Sequence, residues 1–300
     1  MRSNSKRKSS RLLGSTYTPY LLSAPSILLI SFILIVPIFY AIYLSFTDAM
    51  LLTVNNANFV GLKNYKTFLT STSMSRVFSA TISYVILGVF FTYFVGLGTA
   101  LLLNMPLKGK LIFRVILILP WVIPQVVLAL IWKWMLNPQY GVINYMLTSI
   151  GVIDEPISWF TNPMFAMITI LLVTIWKQYP LSCLILFAGM KSIDPDLYEA
   201  ASIDGAGAWK KFISITMPGL RYVTSVLLLL AIIWSFTNFV IIWILTAGGP
   251  VDRTATLSIY TYLNAFKLNK LGYGATVGVM CLIVSFIISV IYYKKILPKD

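Results

Sequence analysis

The chain has 300 residues, of which 58% are hydrophobic and 11% charged, with mean hydropathy +0.85. A soluble domain averages about half apolar and about a quarter charged, so the composition excludes an ordinary soluble domain and points to an integral membrane protein. The net charge of +14 would suit a nucleic-acid partner, but the basic residues cluster at the ends of apolar segments instead of along an aromatic-bearing amphipathic face, and no nucleic acid is expected.

A basic arm occupies residues 1–19, beginning Arg2-Ser3-Asn4-Ser5-Lys6-Arg7-Lys8. Crossing the hydrocarbon core takes about 20 apolar residues in a helix. Six runs meet that length, at about 20–46, 77–103, 111–136, 163–189, 221–246 and 273–293. The first is too long for the apolar part of a signal peptide and ends without a small-residue cleavage site, so it reads as a retained span. An arm and first span with its loop (1–19, 20–75), a five-helix core (76–293) holding a polar loop at 190–220, and a short tail (294–300) are the expected divisions.

Lysine and arginine orient the spans. With the N-terminus inside, 15 of these residues fall on the inner side and 6 on the outer, Lys133 and Lys177 lying within spans. That bias predicts a multi-pass protein of the cell membrane with both termini in the cytoplasm, and it puts the 190–220 loop there too. Pro120 and Pro124 are expected to kink the third run and Pro180 the fourth.

The inner loop breaks the basic pattern. Four of the nine acidic residues fall within it, and three of them, Asp196, Glu199 and Asp204, lie within residues 196–204. Asp194-Pro195-Asp196 has the makings of a helix start: a capping carboxylate, proline in the first turn and a charge that complements the dipole. Gly205 supplies a stop at which the backbone can take positive φ. A second short helix is expected up to about Met217, with Pro218 where the fifth span begins. Small residues at the apex would let another protein approach the backbone closely. The alternative from composition alone is an interfacial helix that only anchors the loop.

Glu199-Ala200-Ala201, then Asp204-Gly205-Ala206, Phe212, Ile215 and Met217-Pro218 resemble the EAA loop of ABC importer permeases, with Met in place of the family's usual Leu before the proline. The resemblance implies the type I importer permease fold. It also implies that Glu199, Ala200, Ala201, Asp204, Gly205, Ala206 and Pro218 form a coupling loop that docks on an ATPase subunit. Trp234-Ser235-Phe236-Thr237-Asn238 with Leu245-Thr246-Ala247-Gly248-Gly249-Pro250, and Pro19-Tyr20-Leu21-Leu22-Ser23-Ala24-Pro25 with Phe59-Val60-Gly61-Leu62-Lys63-Asn64-Tyr65, are similar to the sugar-uptake branch, the maltose-type first permease. The large extra outer domain of the maltose subunit is missing. The implied partners are a second homologous permease, two ATPase subunits, an extracellular binding protein, membrane lipid and a sugar.

What the chain lacks agrees with that division of labour. It has no histidine, two cysteines (Cys183 and Cys281) inside apolar runs, and no G-x-x-x-x-G-K-[ST] phosphate loop. No catalytic residue, metal site or cofactor is expected in it; ATP and magnesium would belong to the partner ATPases. All nine acidic residues lie outside the spans or at their edges, which disfavours a proton-driven carrier. A permease for an amino acid or peptide is the alternative, and a secondary carrier a more distant one. For the pathway, Trp176, Lys177, Gln178, Tyr179, Trp234 and Asn238 are the candidate lining groups. Against this, aromatics also form interfacial belts, Lys133 near a span end can snorkel, and Lys177 can pair with a carbonyl.

Overall fold

A computed structural model describes residues 18–106 and 108–296. Residues 1–17 of the expected arm and 297–300 of the expected tail lie outside them. In chain order the helices are α1 (Thr18–Ser45), α2 (Lys63–Leu69), α3 (Thr72–Asn104), α4 (Lys110–Val122), α5 (Gln125–Met135), α6 (Val142–Ser149), α7 (Pro163–Lys191), α8 (Pro195–Ile203), α9 (Ala208–Lys211), α10 (Met217–Gly219), α11 (Arg221–Thr237), α12 (Val240–Thr246), α13 (Leu257–Tyr262) and α14 (Leu271–Ile296). The all-helical class expected from sequence is what forms. Four helices, α1, α3, α7 and α14, are long and apolar enough to cross a membrane alone; two bent pairs raise the number to at most six.

The core is built on α3 against α7. On α3 the buried positions include Val77, Ala80, Tyr84, Gly88, Thr92, Gly96, Ala100 and Leu103, the three-and-four spacing of one helical face. Gly96 sets the approach: a Cβ there would lie 2.6 Å from the Ser182 Cβ, so only glycine lets the two backbones come so close. Tyr84 adds a polar pin, its hydroxyl 3.1 Å from that of Thr174 on α7.

The third apolar run bends far more sharply than a kink. α4 and α5 meet at 95°. Pro124 has no N–H to offer the Pro120 carbonyl four residues back, and its ring crowds that oxygen. It also drives Ile123 into the extended region, at φ −61° and ψ 130°. Several carbonyls are thereby stranded inside apolar surroundings, where an unpaired polar group is costly. Lys177 of α7 answers them. Its Nζ donates to Pro120 O at 3.2 Å, to Ile123 O at 2.6 Å and to Trp121 O. Three ammonium hydrogens meet three acceptors at the negative end of a helix dipole.

The fifth run does not continue to residue 246 as the hydropathy suggested. α11 stops at Thr237, Asn238 turns extended (ψ 121°), and α12 starts at Val240. Neither proline nor glycine marks this break. Thr237 Oγ1 turns back to the Ile233 and Trp234 carbonyls, at 3.4 and 3.2 Å, a local competition typical of threonine near a helix end. Ser258 Oγ then donates to the Asn238 carbonyl at 3.0 Å. Lys133, expected to snorkel, donates to Ile244 O of α12 at 2.7 Å and so ties α5 to the last turn of that helix.

α1 is fastened mainly at its C-terminal end. The Ser45 carbonyl accepts from Thr276 Oγ1 of α14 at 3.0 Å and from Asn64 Nδ2 at 3.1 Å. Most of the remaining helix surface is exposed, as expected for a span facing lipid or another chain.

Two substitutions test this architecture. Gly96→Leu should lower the thermal stability of the solubilised protein, by about 1–3 kcal/mol as for other overpacked positions. Gly98→Ala, where a Cβ meets nothing within 4 Å, should not. For Lys177→Met, the relieved burial of a charge (about 3 kcal/mol) is outweighed by three lost charge-assisted bonds of about 1.5–3 kcal/mol each. The melting temperature should fall by several degrees; an unchanged melt would show that the lysine does not hold the break.

Candidate functional site

Two regions concentrate the candidate residues: the hairpin 195–219 and a cleft between α3, α7 and α11. The hairpin starts as the sequence suggests. Asp194 Oδ1 accepts from Asp196 N at 3.0 Å, and Pro195 occupies the first turn of α8. It also stops as suggested. Gly205 has φ +74°, and two crossed bonds close the end: Ala206 N–H to Ala201 O at 2.8 Å and Gly205 N–H to Ser202 O at 3.1 Å. That is a Schellman motif, which needs a left-handed residue where Gly205 stands.

The second arm is less regular than expected. Between α9 and α10 the chain makes a π-helical turn, Phe212–Thr216, in which Met217 N–H reaches back to Phe212 O. Pro218 follows at once, and its missing N–H removes the next α-type bond. The axis then turns by 65° into α11.

Glu199, Ala200, Asp204, Gly205 and Pro218 are exposed, Ala201 and Ala206 half-buried. Ile203 is 88% exposed and Trp209 73%, so the apex presents carboxylates beside uncovered apolar groups. Its base is the reverse. Tyr198 OH lies 2.9 Å from Thr216 Oγ1, bracing α8 against the second arm. A Cβ on Gly219 would sit 2.7 Å from Ile193 Cδ1, and one on Gly189 would sit 2.9 Å from Leu220 Cδ2. The hairpin is free at its tip and seated firmly on the ends of α7 and α11.

The cleft is lined by Gly88, Val89 and Thr92 of α3, Thr174, Gln178, Leu181 and Ser182 of α7, Leu227, Ala231, Trp234 and Ser235 of α11, and Asn238. It continues past Gln178 and Trp234 toward Trp121, Gln125 and Thr237. Gln178, Trp234 and Asn238 line this one cleft together. Asn238 Oδ1 is buried and has no hydrogen-bond partner. Trp176, Lys177 and Tyr179 are not among the lining residues. At 100° per residue, Trp176 points about 160° away from Gln178, and its ring packs edge-on to Trp132 at 5.5 Å. Lys177 is occupied by the carbonyls of the α4–α5 break.

Thr92, Thr174, Ser182, Ser235, Gln125 and Thr237 also line the cleft and were not singled out from sequence. A signal for two of these was present: Thr174 and Ser182 flank Gln178 at four-residue spacing, a polar stripe down one face of an apolar helix.

With this geometry in view, the chain can be set beside known proteins. Residues 92–299 match the family model described as binding-protein-dependent transport system inner membrane component. The chain is 34% identical, over 96% of its length and 93% of the relative's, to the sulfoquinovosyl glycerol transport system permease protein SmoG of Agrobacterium fabrum. It is 33% identical, over 92% of each chain, to the trehalose/maltose transport system permease protein MalF of Thermococcus litoralis. Its fold is shared, at TM-score 0.79 and 22% identity over 92% of each chain, with a chain of a bacterial alginate ABC transporter solved in complex with its alginate pentasaccharide-bound periplasmic protein. The chain belongs to the binding-protein-dependent transport family as an inner membrane component, a multi-pass permease of the type I ABC importer fold.

Proposed function

We propose that this chain is one permease half of an ATP-driven importer for a sugar or oligosaccharide delivered by an extracellular binding protein. A second, homologous permease would complete the pathway. Two ATPase subunits would bind beneath, one of them on the hairpin 195–219, with both termini and the hairpin in the cytoplasm. The 76–293 segment would be the transporting core, with 20–75 as an added span and loop.

The observation that carries the reading is the hairpin's mechanical placement. Its tip offers Glu199, Asp204 and bare backbone at Gly205, while its base is wedged against α7 and α11 through Gly189, Gly219 and Leu220. Those two helices carry the cleft's polar groups. Gln178 lies 13 residues up α7 from Lys191, and Trp234 lies 13 residues up α11 from Arg221; at 1.5 Å per residue each arm is about 20 Å long. A push on the hairpin would be delivered to both walls of the cleft at the same depth. ATP and the loaded binding protein would each favour the outward-open arrangement, and linkage then makes each raise the other's affinity.

The sugar assignment draws on chemistry. The cleft offers amides, hydroxyls and an indole, and none of its lining residues carries a charge. Amide and hydroxyl groups can both donate and accept, matching sugar hydroxyls, and an indole face covers the apolar side of a pyranose. The relatives named for sugar derivatives support the same class.

Two experiments bear on this. In the reconstituted importer, Gly205→Val would force a branched side chain to φ +74°, at a cost of about 1–2 kcal/mol, and Glu199→Lys would reverse a tip charge. Each should abolish the stimulation of ATP hydrolysis by loaded binding protein while leaving membrane insertion intact. A Gly205→Val importer that hydrolysed ATP and transported at the wild-type rate would defeat the coupling assignment. Gln178→Met keeps volume and removes one amide from the cleft. Transport KM should rise up to about tenfold, the value of one neutral hydrogen bond, with melting unchanged; an unaltered KM would place the pathway elsewhere.

A further inference from the structure

A second polar site lies at the hairpin end of the bundle, away from both regions above. Arg114 is one turn into α4. Its Nε is buried and has no hydrogen-bond acceptor. Its guanidinium carbon stands 5.4 Å from the centroid of the Phe187 ring on α7. Lys191, the last residue of α7, places its Nζ 5.5 Å from the same centroid. Two cations thus share one aromatic ring. Among the described residues neither is placed in an ion pair. A ring quadrupole attracts each cation, but it cancels no net charge, and the two cations repel each other.

The surroundings favour an anion with apolar chains. α4 begins after Gly109, at φ +73°, with no side-chain cap on its first turn, so its leading N–H groups add positive potential beside the two side chains. The outward face of the same helix, at Leu111, Ile112, Val115, Ile116 and Leu119, is apolar and exposed. A soluble anion would use only the first feature; a phospholipid would use both.

We propose that Arg114 and Lys191 hold the phosphate of an anionic phospholipid, with its acyl chains laid along the exposed face of α4. Basic pockets between spans at the cytoplasmic surface suit such headgroups. The site stands apart from the cleft and the hairpin tip, so it does not depend on which solute the protein carries.

The test is lipid retention by the assembled complex, measured by native mass spectrometry after extraction from membranes containing phosphatidylglycerol and phosphatidylcholine. The wild type should retain phosphatidylglycerol selectively. Arg114→Gln and Lys191→Gln should each weaken retention about fivefold, the effect of one cation near an anionic surface, and Arg114→Lys should restore part of it. Arg76→Gln, in a cleft with Arg253 formed from the opposite ends of α3 and α7, should change nothing. Equal retention by the double Gln variant and the wild type would overturn the proposal, as would displacement of the lipid by inorganic phosphate, which would make the ligand a soluble anion. If the double variant fails to assemble, a photoactivatable phosphatidylglycerol on the wild type decides the matter. Labelling around Phe187 supports the site, and labelling only elsewhere refutes it.

Discussion

Three carbonyl oxygens with no N–H to meet them, and one ammonium group placed among them, set the geometry of this bundle. Pro124 makes the break between α4 and α5 unavoidable, because its ring leaves no room and no hydrogen for the Pro120 carbonyl. A broken helix in an apolar medium survives only where protein supplies the missing partners. Lys177 supplies them from the middle of α7. Once the 95° turn is fixed, α5 is carried across to α12, where Lys133 donates to the Ile244 carbonyl. Both lysines within the apolar runs thus serve the same purpose: each engages carbonyl groups near the end of an interrupted helix. The position that looked most like a charged group in a transport path is a backbone partner.

The breaks and the tight core work together. Gly96 lets the backbones of α3 and α7 pack in close contact. α11 meets that pair along the cleft, and at its end the chain turns at Asn238, so helical rigidity stops where the polar lining is richest. The hairpin is stiff for a different reason. Its Schellman stop, the Tyr198–Thr216 contact and the glycine seats at 189 and 219 leave few soft joints between tip and base. The 65° turn after Pro218 is the sharpest change of direction there, and the π-helical turn before it already departs from the regular ladder.

How much of this could be read from the sequence depended on whether the cause was local. Asp194-Pro195 and Gly205 act through their own backbone, and the helix they bound is where the residue types put it. The apolar runs at α1, α3, α7 and α14 were legible because length and composition suffice for them. The Asn238 break was not, since its stability comes from Ser258, twenty residues on, and from Thr237 turning inward; no proline or glycine announces it. Lys177's partners belong to another helix, so its sequence neighbours Trp176 and Gln178 suggested a pathway that its own side chain does not join. Trp176 misled for a simpler reason, because an aromatic ring looks the same whether it faces a cleft or a core, and only the helical angle from Gln178 separates the two.

The engagement of Lys177 also shapes what the cleft can hold. An ammonium free at that depth would have offered a counter-ion to an acidic solute, and a buried charge of that kind dominates its surroundings. With all three of its hydrogens directed at carbonyls, it neutralises the negative end of α4 and leaves the adjoining walls to uncharged groups: Gln178, Asn238, Ser182, Thr92 and the Trp234 ring. Asn238 Oδ1, buried with no partner, is the residual demand of that environment. A hydroxyl donor would satisfy it, and neutral and acidic sugars both carry hydroxyls. The lysine that stabilises the break is thereby committed to the backbone, and the stability of the fold and the uncharged lining of the cleft follow from the same three hydrogen bonds.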